Sequence, residues 1–590
     1  MFILFLSRVI LFNQLELNHD EVWHIWQTSD SLENVFRWLP YDWPPLYFIL
    51  MWGWQNLVGM HPFVHHLMST LIFMLAAALM YQLAFKIFAK SSAAWAAMLI
   101  YSALGFTIFL SVYVRPYVFM LLLLPATLYA MILYFESRKW VWGLWTGLGM
   151  AAMFLTNLTA LLAFIVLGLY SLLIYPRQLL RWFLPAFIAF LVAFPEILSK
   201  FKLMSTRNAG QGDALIPLGE GLVNLFRAYT GYAAPLWAIA LLLLLFLLLL
   251  KRQLFQPKFL ILLIWVLFLP IFVYFSDHLL GFFLPRYSWW ITVGLALLMA
   301  GAMAYLPGWL YKFGAFLLII AMFLPISGQG YGFRTLPFEA TFRDVLPWLR
   351  PDQRILIDPA CADCGSPMEW DYYQQIFAPH GLNFVEKPEK QGSIWYISSG
   401  WGSDESMKNR VADGRVFSRF AGPWDFLWEL YEAPPDSVGI LYENGMRFHG
   451  IQVLNADGQI ALQPLVRREG ESVRLRLWWS IDQILEADYS VSVQIAYPDG
   501  SILSQSDSAP QTINLHPMET LAPPQETSQW QLNQYYIEER TLEIPYPIDR
   551  FDHFSINLIV YQWWDGLRIK SAESDAEGVL PLMPFAIMAW

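Results

Sequence analysis

Two adjacent carboxylates near the start of the chain are the first residues whose types could do chemistry. Asp20 and Glu21 follow Asn18-His19 and stand directly before a mainly apolar stretch. An acidic residue in this place most often caps the amino end of a helix. A carboxylate can also act as a general base that takes the proton from a weak nucleophile such as an alcohol. Residue type alone leaves both interpretations open.

Two arginines are each followed within two residues by a tyrosine. Arg115 precedes Pro116 and Tyr117, and Arg286 directly precedes Tyr287. A guanidinium binds a phosphate through paired hydrogen bonds and can stabilise negative charge that develops on a leaving group. An arginine at the end of an apolar span can equally extend its head group to the membrane boundary. Both interpretations stay open for each arginine.

Three histidines, His61, His65 and His66, have a spacing that would place them together near one end of a helix. They could hold a metal ion, but no carboxylate partner lies near them in the sequence, so the zinc signal is weak. We therefore expect no metal site here.

The two cysteines, Cys361 and Cys364, have a C-x-x-C spacing. With these two alone, a tetrahedral zinc site would need other ligands. A disulfide is the expectation if this part of the chain faces an oxidising compartment.

Composition separates the chain into two unlike halves. Of its 590 residues, 57% are apolar and 14% are charged, which is too apolar for disorder, a coiled coil or an ordinary soluble enzyme. Residues 1–330 carry a net charge of +7, whereas residues 331–590 carry −17. The acidic half argues against a nucleic acid as partner, because phosphate binding needs a basic face.

The first half contains a series of long apolar stretches. A membrane span needs about 20 mainly apolar residues, and no soluble core accommodates so many helices that are apolar all round. We predict about eleven crossings, including a weak first one at residues 1–15. The stretches are His66–Phe85, Ser91–Val114, Pro116–Phe135, Trp140–Pro176, Trp182–Pro195, Ala234–Leu250, Phe259–Ser276, Tyr287–Tyr311 and Phe313–Ile326. The stretch from Trp140 is long enough for two crossings, with the polar residues 156–159 as the turn.

Lysines and arginines in every second short loop predict the orientation. Such loops usually face the cytoplasm, and here they include Lys86 with Lys90 and Arg138 with Lys139. By parity, the segment that carries Asp20 and the whole acidic half face outward. The first apolar stretch would be a short helix whose Arg8 reaches the membrane boundary, unless the true start lies upstream.

The second half shows two patterns. Strands at Arg354–Asp358 and Ser393–Ile397 flank a helix at Met368–Phe377, which indicates a small α/β domain. From about residue 436 the polar and apolar residues alternate, as at Ser472–Trp479 and Tyr489–Ile495, and this alternation is typical of an antiparallel β-sandwich. We therefore predict three domains: a membrane domain at 1–330, an α/β domain at 331–435 and a β-sandwich at 436–590.

The order of these motifs resembles that of the GT-C membrane glycosyltransferases of family 39, which include protein O-mannosyltransferases and the aminoarabinose transferase of lipid A. Members place an Asp-Glu pair in the first outward loop, then a Pro-Pro-Leu-aromatic element, then an Arg-Pro-Tyr element at the outer end of a span. This sequence has Pro44-Pro45-Leu46-Tyr47 in the second place and Arg115-Pro116-Tyr117 in the third. The resemblance covers roughly residues 1–326.

The resemblance implies a sugar transferase that works by a single inverting displacement. Asp20 would be the general base and Glu21 would support it or orient the acceptor. The lipid-phosphate site would be formed by Arg115, Tyr117, Arg286, Tyr287, Pro44, Pro45 and Tyr47. The donor would be a sugar on a polyprenyl phosphate, the acceptor an extracytoplasmic hydroxyl, and no divalent metal or other cofactor is expected. The location would be the inner or plasma membrane.

Some positions depart from the family pattern. Trp43 stands where the family usually has His or Lys before Pro-Pro, and His66 replaces the usual arginine at the start of the second span. Two other functions therefore stay open: a transporter or flippase of lipid-linked sugars, and a non-catalytic scaffold whose β-domain binds glycan. The sequence does not indicate the sugar, the acceptor or the oligomeric state.

Overall fold

A computed structural model describes the chain with gaps, and it divides into two compact units, Met1–Thr335 and Leu336–Trp590. The described residues are 1–12, 16–38, 43–204, 217–280, 287–324, 335–389, 391–400, 402–461, 466–516 and 523–588. The finer division of the second half at residue 435 stays a prediction.

The regular elements of the first unit, in its described residues, are helices. Its helices are α1 Phe2–Phe12, α2 His19–Gln27, α3 Leu32–Trp38, α4 Leu46–Val58, α5 Pro62–Phe88, α6 Ser91–Ala103, α7 Gly105–Leu110, α8 Tyr117–Ser137, α9 Trp140–Thr156, α10 Ala160–Ile174, α11 Phe183–Met204, α12 Leu218–Thr230, α13 Ala234–Leu250, α14 Pro257–Leu263, α15 Leu269–Leu280, α16 Trp290–Met303 and α17 Gly308–Ala321.

Several of these helices are suited to a membrane. Four stretches are long and apolar enough to cross one: Pro62–Phe88, Tyr117–Ser137, Pro176–Lys200 and Pro257–Phe275. The pair α12 and α13 passes the same test together but is bent by 99°. Five shorter apolar helices, α1, α9, α10, α16 and α17, accompany them. The predicted membrane domain is thus confirmed as a set of apolar helices, while the number of about eleven crossings stays a prediction.

The polar break predicted in the long stretch from Trp140 is confirmed. Helix α9 ends at Thr156 and α10 begins at Ala160. Asn157 Oδ1 accepts hydrogen bonds from the backbone N–H of Thr159 at 2.9 Å and from its hydroxyl at 2.6 Å. Trp289 Nε1 then donates to the same hydroxyl at 3.1 Å. The turn therefore satisfies its own polar groups, as a turn in an apolar surrounding must.

Helix α16 lies at the centre of the first unit, with all its residues buried. Its glycines let neighbouring aromatic rings approach the helix backbone. A Cβ atom at Gly301 would lie 2.5 Å from the Phe88 ring, and one at Gly294 would lie 2.8 Å from the Trp265 ring. Because a Cβ cannot come so close, these positions favour glycine for packing.

The expectation for Arg8 is wrong. Its side chain is fully buried on α1 rather than extended to a boundary. Arg8 Nη2 donates to the carbonyl of Ser102 in the last turn of α6, and Nη1 donates to the carbonyl of Met322 directly after α17, at 3.2 Å. The carboxyl end of a helix carries partial negative charge, so two such ends compensate the guanidinium.

The second unit begins with an α/β part and continues with paired strands. Its elements are α18 Phe338–Val345, β1 Arg354–Ile357, α19 Pro367–Phe377, β2 Ile394–Ser398, α20 Glu405–Ala412, β3 Val416–Ala421, β4 Leu427–Glu432, β5 Ile440–Leu441, β6 Met446–Leu454, β7 Val466–Arg468, β8 Ser472–Ile481, β9 Tyr489–Ala496, β10 Ile502–Ser508, β11 Thr512–Ile513, β12 Tyr536–Glu543, β13 Phe554–Gln562, β14 Arg568–Ile569 and β15 Leu580–Met588.

The strands and the helix predicted for the α/β part are present, while its status as a separate domain stays a prediction. Its sheet has the order β1-β2-β4-β3, with β1 and β2 parallel and the other pairs antiparallel. A disulfide joins Cys361 to Cys364 in the connection between β1 and α19, so the expected pairing is confirmed. Trp370 Nε1 donates to the Cys364 carbonyl at 3.0 Å and fixes α19 against this loop.

The alternating strands form two sheets that share one core. One sheet has the order β10-β9-β13-β15-β7 with β14 beside β13, and the other has the order β11-β12-β8-β6-β5. Alternate residues such as Val473, Leu475 and Leu477 on β8 meet Val491 and Val493 of β9 in this core. The predicted β-rich second half is therefore confirmed.

Candidate active site

Helix α2 begins with a capping box that does not use Asp20. Asn18 is the N-cap, and its side-chain oxygen accepts from the Glu21 N–H at 3.1 Å. Glu21 Oε2 in turn accepts from the Asn18 N–H at 2.9 Å. Such reciprocal bonds satisfy two backbone donors at a helix start. Asp20 is therefore not the capping residue, and its carboxylate remains available for another partner.

Asp20 pairs with Arg115. Arg115 Nη1 lies 3.0 Å from Asp20 Oδ2, across 95 residues of sequence. The arginine side chain is 5% exposed, whereas the aspartate side chain is 44% exposed. An ion pair with one open partner differs from a buried structural pair, because the carboxylate can still be reached by a solute.

Glu21 is buried directly behind this pair. Its Oε1 accepts from the backbone N–H of Val114 at 2.7 Å, so both carboxylate oxygens are occupied. Burial raises the pKa of Glu21 to about 7, although the amides of Asn18 and Val114 and the guanidinium of Arg115 act in the opposite direction. Glu21 thus connects α2 to the residue that precedes Arg115 rather than facing an open surface.

Trp43 covers the other side of Arg115. The guanidinium carbon lies 4.7 Å from the centroid of the Trp43 ring, which is within cation–π range. Lys200 of α11 donates to the Trp43 carbonyl at 3.3 Å and pairs with Glu196 at 3.3 Å. At the position before Pro-Pro, this chain places a tryptophan ring on Arg115, and a lysine from a distant helix bonds the carbonyl of that tryptophan.

Unpartnered polar atoms gather around Arg115. Among the described residues, Arg115 Nε, His24 Nδ1 and Tyr47 Oη are buried without a hydrogen-bond partner. The His24 ring lies 5.2 Å from the Trp43 ring and 5.6 Å from the Tyr47 ring. Buried polar atoms are almost always satisfied, so a group of unsatisfied ones indicates a place for a polar ligand.

The ionisation states of the two aromatic neighbours follow from their burial. Burial, with the nearby charge of Arg115, lowers the pKa of His24 well below its usual range, so its ring is neutral. Burial raises the pKa of Tyr47 well above its usual range, so its hydroxyl keeps its proton. Arg115 is therefore the main fixed positive charge of this cluster.

The remaining predicted residues lie in several places. Pro44 is buried, and Pro45 is the N-cap of α4 directly before Leu46. Tyr117 is buried at the start of α8 and contributes to the electrostatic surroundings of Arg115. Tyr287 is partly buried against the core of the first unit. Arg286 lies outside the described residues, so its predicted role in phosphate binding stays a prediction.

The histidine cluster does not form a metal site in the described part of the chain, where no group of three or more His, Cys, Asp or Glu side chains is placed to hold an ion. His66 Nδ1 instead lies 2.6 Å from the Val112 carbonyl. Whether the reaction uses a divalent metal is not decided by this arrangement, and independence from metal stays a prediction.

A shallow cavity of about 380 Å³ lies elsewhere in the first unit. It is lined by Met150, Phe164, Gly168, Ser171, Leu172, Leu179 and Trp182. Its lining is mainly apolar and includes none of the predicted site residues. We therefore place the candidate site at the Asp20–Arg115 pair, where the unpartnered polar atoms lie.

Sequence reasoning missed His24 and Lys200. A signal for His24 was available, since it lies four residues after Asp20 on a helix and such residues share a face. Lys200 gave no such signal, because it lies 157 residues from Trp43 in a stretch that reads as a long loop.

The segment from α4 to α11 is similar to a known protein family. Residues 42–199 match the model of the family described as dolichyl-phosphate-mannose-protein mannosyltransferase. The predicted resemblance is confirmed. The match includes Pro44, Pro45, Tyr47, Arg115 and Tyr117, and it ends one residue before Lys200.

Solved structures give weaker likenesses. ArnT from Cupriavidus metallidurans in the apo state is 14% identical with a TM-score of 0.47, over 72% of this chain and 96% of that chain. The arabinosyltransferase EmbB from Mycobacterium smegmatis is 11% identical with a TM-score of 0.34, over 98% of this chain and 64% of that chain. No curated protein matches this sequence.

Proposed function

We propose that this protein transfers a sugar from a polyprenyl-phosphate carrier to an acceptor hydroxyl at a membrane. The observation that carries the proposal is the pair formed by an open carboxylate, Asp20, and a buried guanidinium, Arg115, whose Nε has no partner among the described residues. The family match over residues 42–199 supports a lipid-phosphate donor, since dolichyl phosphate is the carrier that the family description names.

The chemistry assigns a different task to each member of the pair. Asp20 takes the proton of the acceptor hydroxyl, which raises its nucleophilicity as it attacks the anomeric carbon. The bond from that carbon to the phosphate oxygen breaks, and Arg115 stabilises the charge that remains on the lipid phosphate. In an inverting displacement the nucleophile and the leaving group lie on opposite faces of the carbon, so the sugar enters between the two side chains.

The 3.0 Å contact between Asp20 and Arg115 is then the resting arrangement, and donor binding separates the two side chains. Arg115 exchanges one carboxylate partner for a phosphate, which is a comparable charge-assisted interaction. The Tyr47 hydroxyl, which keeps its proton and has no partner among the described residues, could donate to the phosphate once the donor is bound. Burial of Glu21 behind the pair is consistent with the supporting role that we propose for it.

The test is sugar transfer by the purified full chain in detergent, with radiolabelled undecaprenyl-phosphate sugars of several kinds as donors. We expect Asp20→Asn to reduce the rate by about 10²- to 10⁴-fold, the usual contribution of general base catalysis. Glu33→Gln, which alters an exposed carboxylate on the neighbouring α3, is the matched control and should leave the rate unchanged.

Two results would contradict the proposal. Full transfer by Asp20→Asn would remove Asp20 as the base and favour a scaffold that recruits another enzyme. Absence of transfer by the unaltered chain from every donor, together with movement of a donor across a vesicle membrane, would favour the transporter.

A further inference from the structure

The six residues between α7 and α8 contain backbone carbonyls that their own helices cannot satisfy. In a helix, the carbonyl of Val112 would accept from the N–H four residues later, but that residue is Pro116, which has no N–H. The carbonyls of Ser111 and Tyr113 lie beside it, where the chain leaves α7 and has not yet entered α8. All of these residues are buried. The Tyr113 carbonyl accepts from the Arg115 N–H at 3.0 Å, whereas the carbonyls of Ser111 and Val112 need a donor from another element.

Helix α5 supplies one side-chain donor to each of the three consecutive carbonyls. The donors are His66, Ser69 and Thr70, which are spaced so that they share one face of the helix and are buried. A carbonyl only accepts, so the His66 Nδ1 atom carries a proton. The bonds run from Thr70 Oγ1 to Ser111 O at 3.1 Å, from His66 Nδ1 to Val112 O at 2.6 Å and from Ser69 Oγ to Tyr113 O at 3.0 Å.

The next two residues of the same segment are held from the opposite side by α2. Glu21 accepts from the Val114 N–H at 2.7 Å, and Asp20 pairs with the Arg115 side chain at 3.0 Å. The segment 111–115 is therefore bonded at every residue, by α5 through its carbonyls and by α2 through its amide and guanidinium. Buried carbonyls can be satisfied by donors from several different elements. Here all three side-chain donors come from one face of one helix, α5.

We propose that His66, Ser69 and Thr70 are positioning residues that fix Arg115 for the lipid phosphate. This proposal rests on the function proposed above. Their bonds set the height and rotation of the segment 111–113 along α5, and Arg115 follows two residues later. Because a displacement of about 1 Å at a reacting group can cost about 100-fold in rate, fixing the backbone beside Arg115 contributes to its action without contact with the substrate.

The experiment measures binding of radiolabelled undecaprenyl phosphate to the purified full chain in detergent, together with the thermal unfolding midpoint. The test variant is Ser69→Ala with Thr70→Val, which removes two donors at nearly constant volume. We expect its dissociation constant to rise by about 10-fold, or about 1.4 kcal/mol. Thr70→Ser keeps the hydroxyl and should bind as the unaltered chain does.

Thr146→Val is the matched control, because its buried hydroxyl donates within α9 to the Trp142 carbonyl at 2.7 Å rather than to a carbonyl of the segment. A purely structural role would make the control and the test variant lose stability and affinity together. We expect instead that the test variant loses more stability than the control, because the buried Ser111 carbonyl loses its Thr70 donor. At a temperature at which both variants are fully folded, we expect weaker binding in the test variant alone. Should the double variant not fold, Thr70→Val against Thr70→Ser gives the same comparison.

Arg115→Gln separates the two proposals. If Arg115→Gln loses binding while the double variant binds normally, the positioning role is wrong and the phosphate role of Arg115 stands. If Arg115→Gln binds as the unaltered chain does, the phosphate role is wrong and the positioning role fails with it.

Discussion

The two units of the chain each bury an arginine beside a carboxylate, yet the two pairs are built differently. In the second unit, every nitrogen of Arg540 has a partner: Nε donates to Glu538 at 2.9 Å, and the other two donate to Ser508 and the Ala509 carbonyl. Glu538 is itself fully buried and accepts from Trp479 Nε1 at 2.8 Å. In the first unit, Arg115 keeps one nitrogen without a partner, and Asp20 is 44% exposed.

The difference separates a pair that supports the fold from one that can receive a ligand. A fully bonded buried pair has no hydrogen-bonding capacity left, so removing one partner leaves an uncompensated charge. In an incompletely bonded pair, the unsatisfied donor can still bind a solute with complementary charge. Burial of the arginine alone does not distinguish the two cases, because Arg540 is 2% and Arg115 is 5% exposed.

The largest effect is expected on stability at the complete pair. Arg540→Met should lower the free energy of unfolding by about 3–5 kcal/mol, because Glu538 would stay buried without its cation. Thermal unfolding together with hydrogen exchange of the β12 amides measures this. Arg550→Met is the control, since its pair with Asp499 is exposed to solvent and should contribute little to stability. Equal effects of both substitutions would remove the distinction between the pairs.

A comparable loss should appear at Arg115 in activity rather than in stability. Arg115→Gln should reduce sugar transfer by about 10²- to 10³-fold, the usual cost of removing one donor to a developing negative charge. The unfolding midpoint should change less than in Arg540→Met, since Asp20 is open to water. Arg138→Gln, an exposed arginine after α8, is the control for loss of charge. A destabilised but fully active Arg115→Gln would assign this pair to the fold as well.

A smaller and pH-dependent effect is expected at Glu21. Its pKa rises from 4.5 to about 7 on folding, so the folded chain binds more protons than the unfolded chain between these values. Stability therefore falls as pH rises from 5 to 7, by about 2 kcal/mol for this group. Glu21→Gln has no titrating group at this position, so its stability should not show this part of the decrease with rising pH. Parallel curves of unfolding midpoint against pH for both proteins would show that Glu21 is not the titrating group.

Much of the molecule was predictable because apolar length and alternation are local signals. The apolar helices, the turn at Asn157, and the strands around Val473 and Val491 all follow from runs of a few residues to about 40 residues. The sequence also indicated Asp20 and Arg115, since each stands at the end of an apolar stretch where a charge is costly without a purpose.

What could not be predicted depends on contacts between distant residues. The hydrogen bonds from α5 to the segment 111–113 follow from Pro116 only if one knows which helix lies beside it. Lys200 reaches Trp43 although a nearer acid, Glu196, would explain its charge. By residue type Asp20 resembled a helix-capping residue, but the N-cap of α2 is Asn18, two residues earlier. Local sequence patterns identify the candidate residues. Tertiary contacts determine whether each of them has a structural role or a functional one.

Arg8 has a consequence for how the membrane unit is assembled. Its guanidinium reaches the carbonyl of Met322, 314 residues later in the chain, as well as that of Ser102. Until α17 has been synthesised, the Met322 carbonyl is not present, and the guanidinium lacks one of its two helix-end acceptors. We therefore expect the contact between α1 and the end of α17 to form late in the assembly of this unit.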